Sequence, residues 1–214
     1  MMKTAFFGGS FDPPHAGHLG VARGALASGR CDRVMWVPSF SPPHKAGREQ
    51  AGFERRMDML RLLTANEPGN FVSNVEKRRQ HSPSYTFELL EELNSRPGEE
   101  VLLLIGADSL LDLHTWYRGT ELAGRFGVLT YPRPGYQVTG EKLRARFPEK
   151  TAEKLLKGLL DGRFFENSST FLRSAMAKSG NWSDIISSAS APVAEYCRRH
   201  GLYSRGTYGG KENE

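Results

Sequence analysis

Apolar and polar positions alternate in blocks along the first two thirds of the chain. Ala5-Phe6-Phe7 is a short apolar run that ends in Gly8-Gly9, which predicts a buried strand entering a turn. From His18 to Ala27 the period lengthens, and Leu19, Ala22 and Leu26 fall on one helical face. Arg33 to Val37 predicts a second strand, stopped by Pro38, and the Pro-, Gly- and Ser-rich stretch 39–52 predicts a loop. Phe53 to Ala65 predicts a helix with Met57, Leu60 and Leu63 or Thr64 at helical spacing. Phe71 to Val75 predicts a third strand, with Lys77-Arg78-Arg79 as its solvated end or a loop. Tyr85 to Leu93 predicts a helix whose start is marked by Ser82-Pro83-Ser84. Val101 to Ile105 is unbroken apolar sequence, as in a strand covered on both faces, and Phe126 to Thr130 predicts another.

Strands alternating with helices predict an α/β fold, a Rossmann-like doubly wound parallel sheet whose ligands bind at the C-terminal ends of the strands. Residues 132–162 form a charged helical insertion on this reading. A small helical part closes the domain at 205, and 206–214, Gly-rich and polar, is a disordered tail. Composition narrows the class. The chain has 214 residues, enough for one such domain, and no apolar run long enough for a membrane span. It shows no secretory signal, and Cys31 and Cys197 make no disulfide framework, so the cytoplasm is the expected compartment. A formal charge of +5 suits anionic small molecules. No basic stripe interleaved with aromatics points to nucleic acid.

The chemistry gathers behind the predicted strands. After the first comes Gly8-Gly9-Ser10-Phe11-Asp12-Pro13-Pro14-His15-Ala16-Gly17-His18-Leu19. Glycines there let a backbone approach a ligand and take conformations a side chain forbids. A following helix start offers free N–H groups and a positive dipole end to phosphate. His15 and His18 share one face of that start, Gly17 leaves room between them, and two imidazoles can donate to phosphate oxygens as charge develops on a leaving group. Neither GxGxxG nor GxxxxGK[ST] is present. His-x-Gly-His alone is compatible with a Pro-rich turn carrying two surface histidines. Strand, Gly-Gly, Asp-Pro-Pro and helix in that order argue for the phosphate site.

This stretch resembles the signature of bacterial nicotinate-nucleotide adenylyltransferases, in the His-x-Gly-His nucleotidyltransferase superfamily. Asn167-Ser168-Ser169-Thr170-Phe171-Leu172-Arg173 resembles the family's Ile-Ser-Ser-Thr-x-x-Arg element, with Asn167 where Ile is usual. Ser168 or Ser169 can cap a helix, and Arg173, one turn in, can add a charge-assisted contact worth ~1.5–3 kcal/mol. Pro42-Pro43-His44-Lys45 is similar to a family loop in which Lys45 reaches a phosphate. The resemblance implies a nucleotidyltransferase domain over 1–205, with His15, His18, Lys45 and Arg173 catalytic. It implies that Gly8, Gly9, Ser10, Phe11, Gly106, Asp108, Ser168, Ser169 and Thr170 hold ATP. Ser84, Tyr85, Thr86, Trp116, Tyr117 and Arg133 are then expected at the pyridine nucleotide. In the family the helix start at Tyr85 and Thr86 takes the pyridine carboxylate, and the Trp stacks on the ring, an interaction of ~1–3 kcal/mol by analogy with base stacking.

The implied reaction is AMP transfer from ATP to nicotinate mononucleotide, giving deamido-NAD and pyrophosphate, with Mg²⁺ accompanying ATP and no dedicated protein metal site. The first motif identifies the superfamily better than the acceptor. Another transferase, such as phosphopantetheine adenylyltransferase, and a nucleotide-binding regulatory module stay open as alternatives.

Overall fold

The computed structural model describes residues 1–40, 50–79, 84–161, 168–178 and 182–204. Five strands form one parallel sheet: β1 (Met2–Gly9), β2 (Arg33–Pro38), β3 (Asn70–Val72), β4 (Glu99–Gly106) and β5 (Val128–Tyr131). Their spatial order is β3-β2-β1-β4-β5. The chain builds outward from β1 to β3 and then crosses back to lay β4 on the other side of β1. The order reverses between β1 and β4, and crevices in open parallel sheets form at such a reversal.

Period two explains why the strands are apolar throughout. Ala5 and Phe7, Val34 and Trp36, Leu102 and Leu104, and Leu129 face one layer. Phe6, Met35 and Val37, Val101, Leu103 and Ile105, and Val128 face the other. The first layer is covered by α1 (Ala16–Ala27), α2 (Phe53–Thr64), α9 (Ser169–Ala177), α10 (Trp182–Ala189) and α11 (Ala191–Arg199). The second is covered by α3 (Val75–Arg79), α4 (Thr86–Asn94), α5 (Ala107–Asp112), α6 (Gly119–Arg125), α7 (Gly140–Arg144) and α8 (Glu149–Lys157). No helix among the described residues is long and apolar enough to cross a membrane.

Three elements differ from the sequence reading. The third strand pairs only over Asn70–Val72, and Val75 turns inward to start α3. Lys77, Arg78 and Arg79 are therefore helical, and Arg79 bridges Glu88 and Glu92 of α4. The fifth strand starts two residues later than the apolar run, at Val128. The sequence 107–125, to which the apolar pattern assigned no element, folds into α5, a 3-10 turn over Leu113–Thr115, and α6. Leu110, Leu113, Leu122 and Ala123 bury there at a spacing too short to stand out as periodicity. After α8 the chain returns to the sheet edge, where Leu160 N–H donates to Thr130 O and Thr130 N–H donates to Gly158 O.

Candidate active site

At the end of β1 the glycines are explained by packing. A Cβ on Gly8 would meet the Phe6 ring at 2.9 Å, and one on Gly9 the Phe11 ring at 3.1 Å. The left-handed backbone falls instead on Phe11, at φ 49°. Phe11 is buried, with its ring 5.5 Å from Phe7, 5.4 Å from Trp36 and 5.1 Å from His18. A bulky residue in that region costs of order 1–3 kcal/mol and persists because its surroundings enforce it.

His15 is the N-cap of α1. Its Nδ1 accepts from His18 N–H at 3.4 Å, and His18 Nδ1 accepts from His15 N–H at 3.3 Å. This is a capping box built from two imidazoles. An Nδ1 that accepts carries no proton, so each ring bears its proton on Nε2. The rings lie 3.7 Å apart, and burial reinforces neutrality. Burial holds His15 down to about 4, with the Arg133 charge adding to it. Burial first, then His15 and Arg133, hold His18 well below the usual imidazole range. The pair supplies two neutral donors rather than two cations.

These imidazoles line a cleft with Gly17, Val21, Tyr131 and Arg133. Arg133 reaches it from beyond β5 and donates to Asp108 Oδ2 at 2.5 Å. Asp108 lies in the first turn of α5, directly after β4. Its Oδ1 is buried and has no hydrogen-bond partner among the described residues. Gly106 makes this approach possible, since a Cβ there would stand 2.4 Å from Asp108 Oδ1 and 3.1 Å from the Tyr131 ring. Grouped by sequence with the pyridine residues, Arg133 stands with the histidines.

The second motif closes onto the first. Ser168, not Ser169, caps α9, accepting from Phe171 N–H at 3.1 Å. Ser169 Oγ donates to Pro13 O at 2.9 Å. Arg173 donates through Nη1 to Asp12 O at 2.7 Å and through Nη2 to Thr170 Oγ1 at 3.0 Å. The start of α9 is thus fastened to the backbone between Gly9 and His15.

Across the sheet reversal, α4 begins at Thr86 behind Tyr85, whose side chain makes no cap hydrogen bond. Ser84 Oγ is buried without a partner among the described residues. The Tyr85 and Tyr117 rings stack at 4.2 Å and 23°, and Tyr117 is 47% exposed. Trp116 packs partly buried against the second layer. Lys45 and its Pro-Pro-His-Lys loop, Ser82-Pro83, Asn167 and the tail 206–214 lie outside the described residues.

The cytidylyltransferase-like family model matches residues 6–189. A probable nicotinate-nucleotide adenylyltransferase of Solibacter usitatus is 33% identical over 207 residues, 95% of this chain and 100% of that protein. The nicotinate-nucleotide adenylyltransferase of Bacillus subtilis is 33% identical over 204 residues, 95% and 99%. The chain belongs to the nicotinate-nucleotide adenylyltransferase family. In fold it is similar to the Plasmodium falciparum nicotinic acid mononucleotide adenylyltransferase complexed with NaAD, with TM-score 0.76 at 18% identity over 95% of this chain and 98% of that one.

Sequence reading of this adenylyltransferase missed the groups beneath the motif. Arg56 is 2% exposed and donates to three backbone carbonyls. Asp12 Oδ1 accepts from Ala51 N–H at 3.1 Å and from the Tyr203 hydroxyl at 2.6 Å. Glu76 accepts from Phe40 N–H at 2.8 Å, and burial raises its carboxyl above the usual range. The available signal was Arg56 on the same helical face as Leu60 and Leu63, a charge where an apolar residue belongs.

Proposed function

We infer that this nucleotidyltransferase moves AMP from MgATP to nicotinate mononucleotide. A phosphate oxygen of the mononucleotide forms a bond to the α-phosphorus of ATP. The bond from that phosphorus to the bridging oxygen of the β-phosphate breaks, and pyrophosphate leaves with the electron pair. The attacking phosphate is ionised, so no general base is required. The protein's contribution is position and charge stabilisation. Mg²⁺ enters with ATP, and among the described residues no cluster of acidic, His or Cys side chains is built to hold an ion by itself. A cytoplasmic location follows the same reading.

The observation that carries the inference is the paired imidazoles, each with Nε2–H unspent among the described residues, beside Arg133 at the helix start behind β1. In this reading His15 and His18 donate to phosphate oxygens, Arg133 and Arg173 supply positive charge, and Lys45 reaches in from its loop. Gly8, Gly9, Ser10, Phe11 and Gly106 shape the adenosine side, and Asp108 Oδ1 takes a ligand hydroxyl. Ser168, Ser169 and Thr170 present a helix start to phosphate. The uncapped start of α4 at Ser84, Tyr85 and Thr86 takes the pyridine carboxylate, with Trp116 and Tyr117 as aromatic neighbours. The decisive assay supplies ATP, Mg²⁺ and nicotinate mononucleotide and looks for deamido-NAD by mass. Absence of that product, or faster turnover of phosphopantetheine, would overturn the reading.

A further inference from the structure

Arg56 ties together three segments that are far apart in sequence. Nε donates to Ala51 O at 2.9 Å, Nη1 to Ser10 O at 2.8 Å and Nη2 to Ser39 O at 2.8 Å. Ser39 N–H in turn donates to Gly9 O at 2.9 Å. The end of β1, the end of β2 and the entry to α2 are thereby fixed against one planar fork. Asp12 and Glu76 supply opposing charge around it. Burying a cation is a poor route to stability, because its desolvation offsets most of what its contacts return. A planar guanidinium with donors in fixed directions does set geometry, and an ammonium cannot reproduce it.

The geometry it sets lies one residue from the reacting machinery. Ser10 O is the carbonyl just before Phe11, whose backbone is left-handed and whose ring meets the His18 imidazole edge-on at 5.1 Å. We propose that Arg56 is a positioning residue for adenylyl transfer: it holds the Ser10–Phe11 turn and, through the Phe11 ring, sets where His18 stands. The role rests on the function inferred above, and Arg56 touches no substrate in it.

The test compares Arg56→Lys and Arg56→Gln with the wild type and with Leu155→Ala, a destabilised control buried in α8 on the opposite layer. Turnover is counted per folded site by titration with a non-hydrolysable ATP analogue. Misplacement of a reacting group by about 1 Å costs on the order of 10² in rate. Both Arg56 variants should therefore lose about that factor in kcat, with KM for each substrate within about threefold of wild type and little change in the control. The His18 imidazole resonances of the ATP-free protein should shift in both variants and stay put in the control, whatever the acceptor proves to be. An unmoved His18, a kcat loss matched by Leu155→Ala, or failure of both Arg56 variants to fold would each overturn the proposal.

Discussion

The two sides of the sheet reversal are finished to different degrees. Behind β1, almost every polar group that shapes the turn already has a protein partner: each imidazole caps the other, Asp12 holds Tyr203 and Ala51, and Arg173 holds Asp12. Behind β4, groups stand unspent among the described residues. Asp108 Oδ1 and Ser84 Oγ are buried without partners, and α4 starts without a side-chain cap. Buried polar atoms without partners are costly, and in the function inferred above the substrate satisfies these two. The function inferred above assigns the β1 side to the transition state and the β4 side to substrate binding.

Removing a donor from the finished side should have the largest effect. His18→Ala deletes one neutral Nε2–H and one half of the capping box. The loss of a single preorganised donor typically lowers kcat by about 10²–10³, and ATP affinity should move far less. Single-turnover rates together with equilibrium ATP binding check this. Unchanged turnover would show that the β1 side is only a binding surface.

The same pairing makes a prediction about pH. His15 sits at about 4 when folded and near the usual 6.5 when unfolded. The unfolded chain therefore binds its proton more readily, so the contribution is complete above 6.5 and is lost as pH falls toward 4. The loss for His15 alone is about 3 kcal/mol by pH 4. His15→Asn keeps a capping oxygen and removes the titration. Its stability should fall less than that of the wild type between pH 7 and pH 4, as measured by urea unfolding. Equal losses would mean that the imidazole is not held neutral.

This contrast also governs what was legible in the sequence. The parallel sheet follows from apolar runs at Ala5–Phe7, Val34–Val37 and Val101–Ile105, as in strands covered on both faces, whereas the reversal between β1 and β4 needed the strand order. His15 and His18 stand out because Gly-Gly, Asp-Pro-Pro and a helix start follow an apolar run in order, whereas Arg173 was legible only through resemblance. Arg56, Glu76 and the bond from Tyr203 to Asp12 were invisible, since these contacts are to backbone atoms or to residues far away in sequence. The Arg133–Asp108 pair was hidden for the same reason: only the adjacency of β4 and β5 brings residue 133 over residue 108. The β4 side was legible only through resemblance, because a serine, a tyrosine and a tryptophan at ordinary spacing carry no chemistry of their own.

Asp108→Ala sharpens the comparison from the unfinished side. It removes the oxygen assigned above to a ligand hydroxyl and leaves Arg133 without its carboxylate. A hydrogen bond to a charged group contributes about 1.5–3 kcal/mol, so KM for ATP should rise about 10- to 100-fold. The change in kcat should be the smaller of the two. Asp108→Asn separates the causes, since it keeps an acceptor and removes the charge that holds Arg133. A fall in kcat larger than the rise in KM would place Asp108 with the transition-state groups after all.

The smallest expected effect concerns the acceptor. An uncapped helix start attracts a carboxylate over an amide by about 0.3–2 kcal/mol, a preference of about 2- to 30-fold for nicotinate over nicotinamide mononucleotide in kcat/KM. Glu88, in the first turn of α4, opposes that attraction, and Arg79 lies 3.4 Å from it in an ion pair. Arg79→Gln therefore leaves Glu88 uncompensated and should lower the nicotinate preference, while His18→Ala should leave the ratio untouched. Equal kcat/KM for both mononucleotides in the wild type would remove acceptor choice from α4. A ratio that changed with His18 would dissolve the division between a finished and an unfinished side.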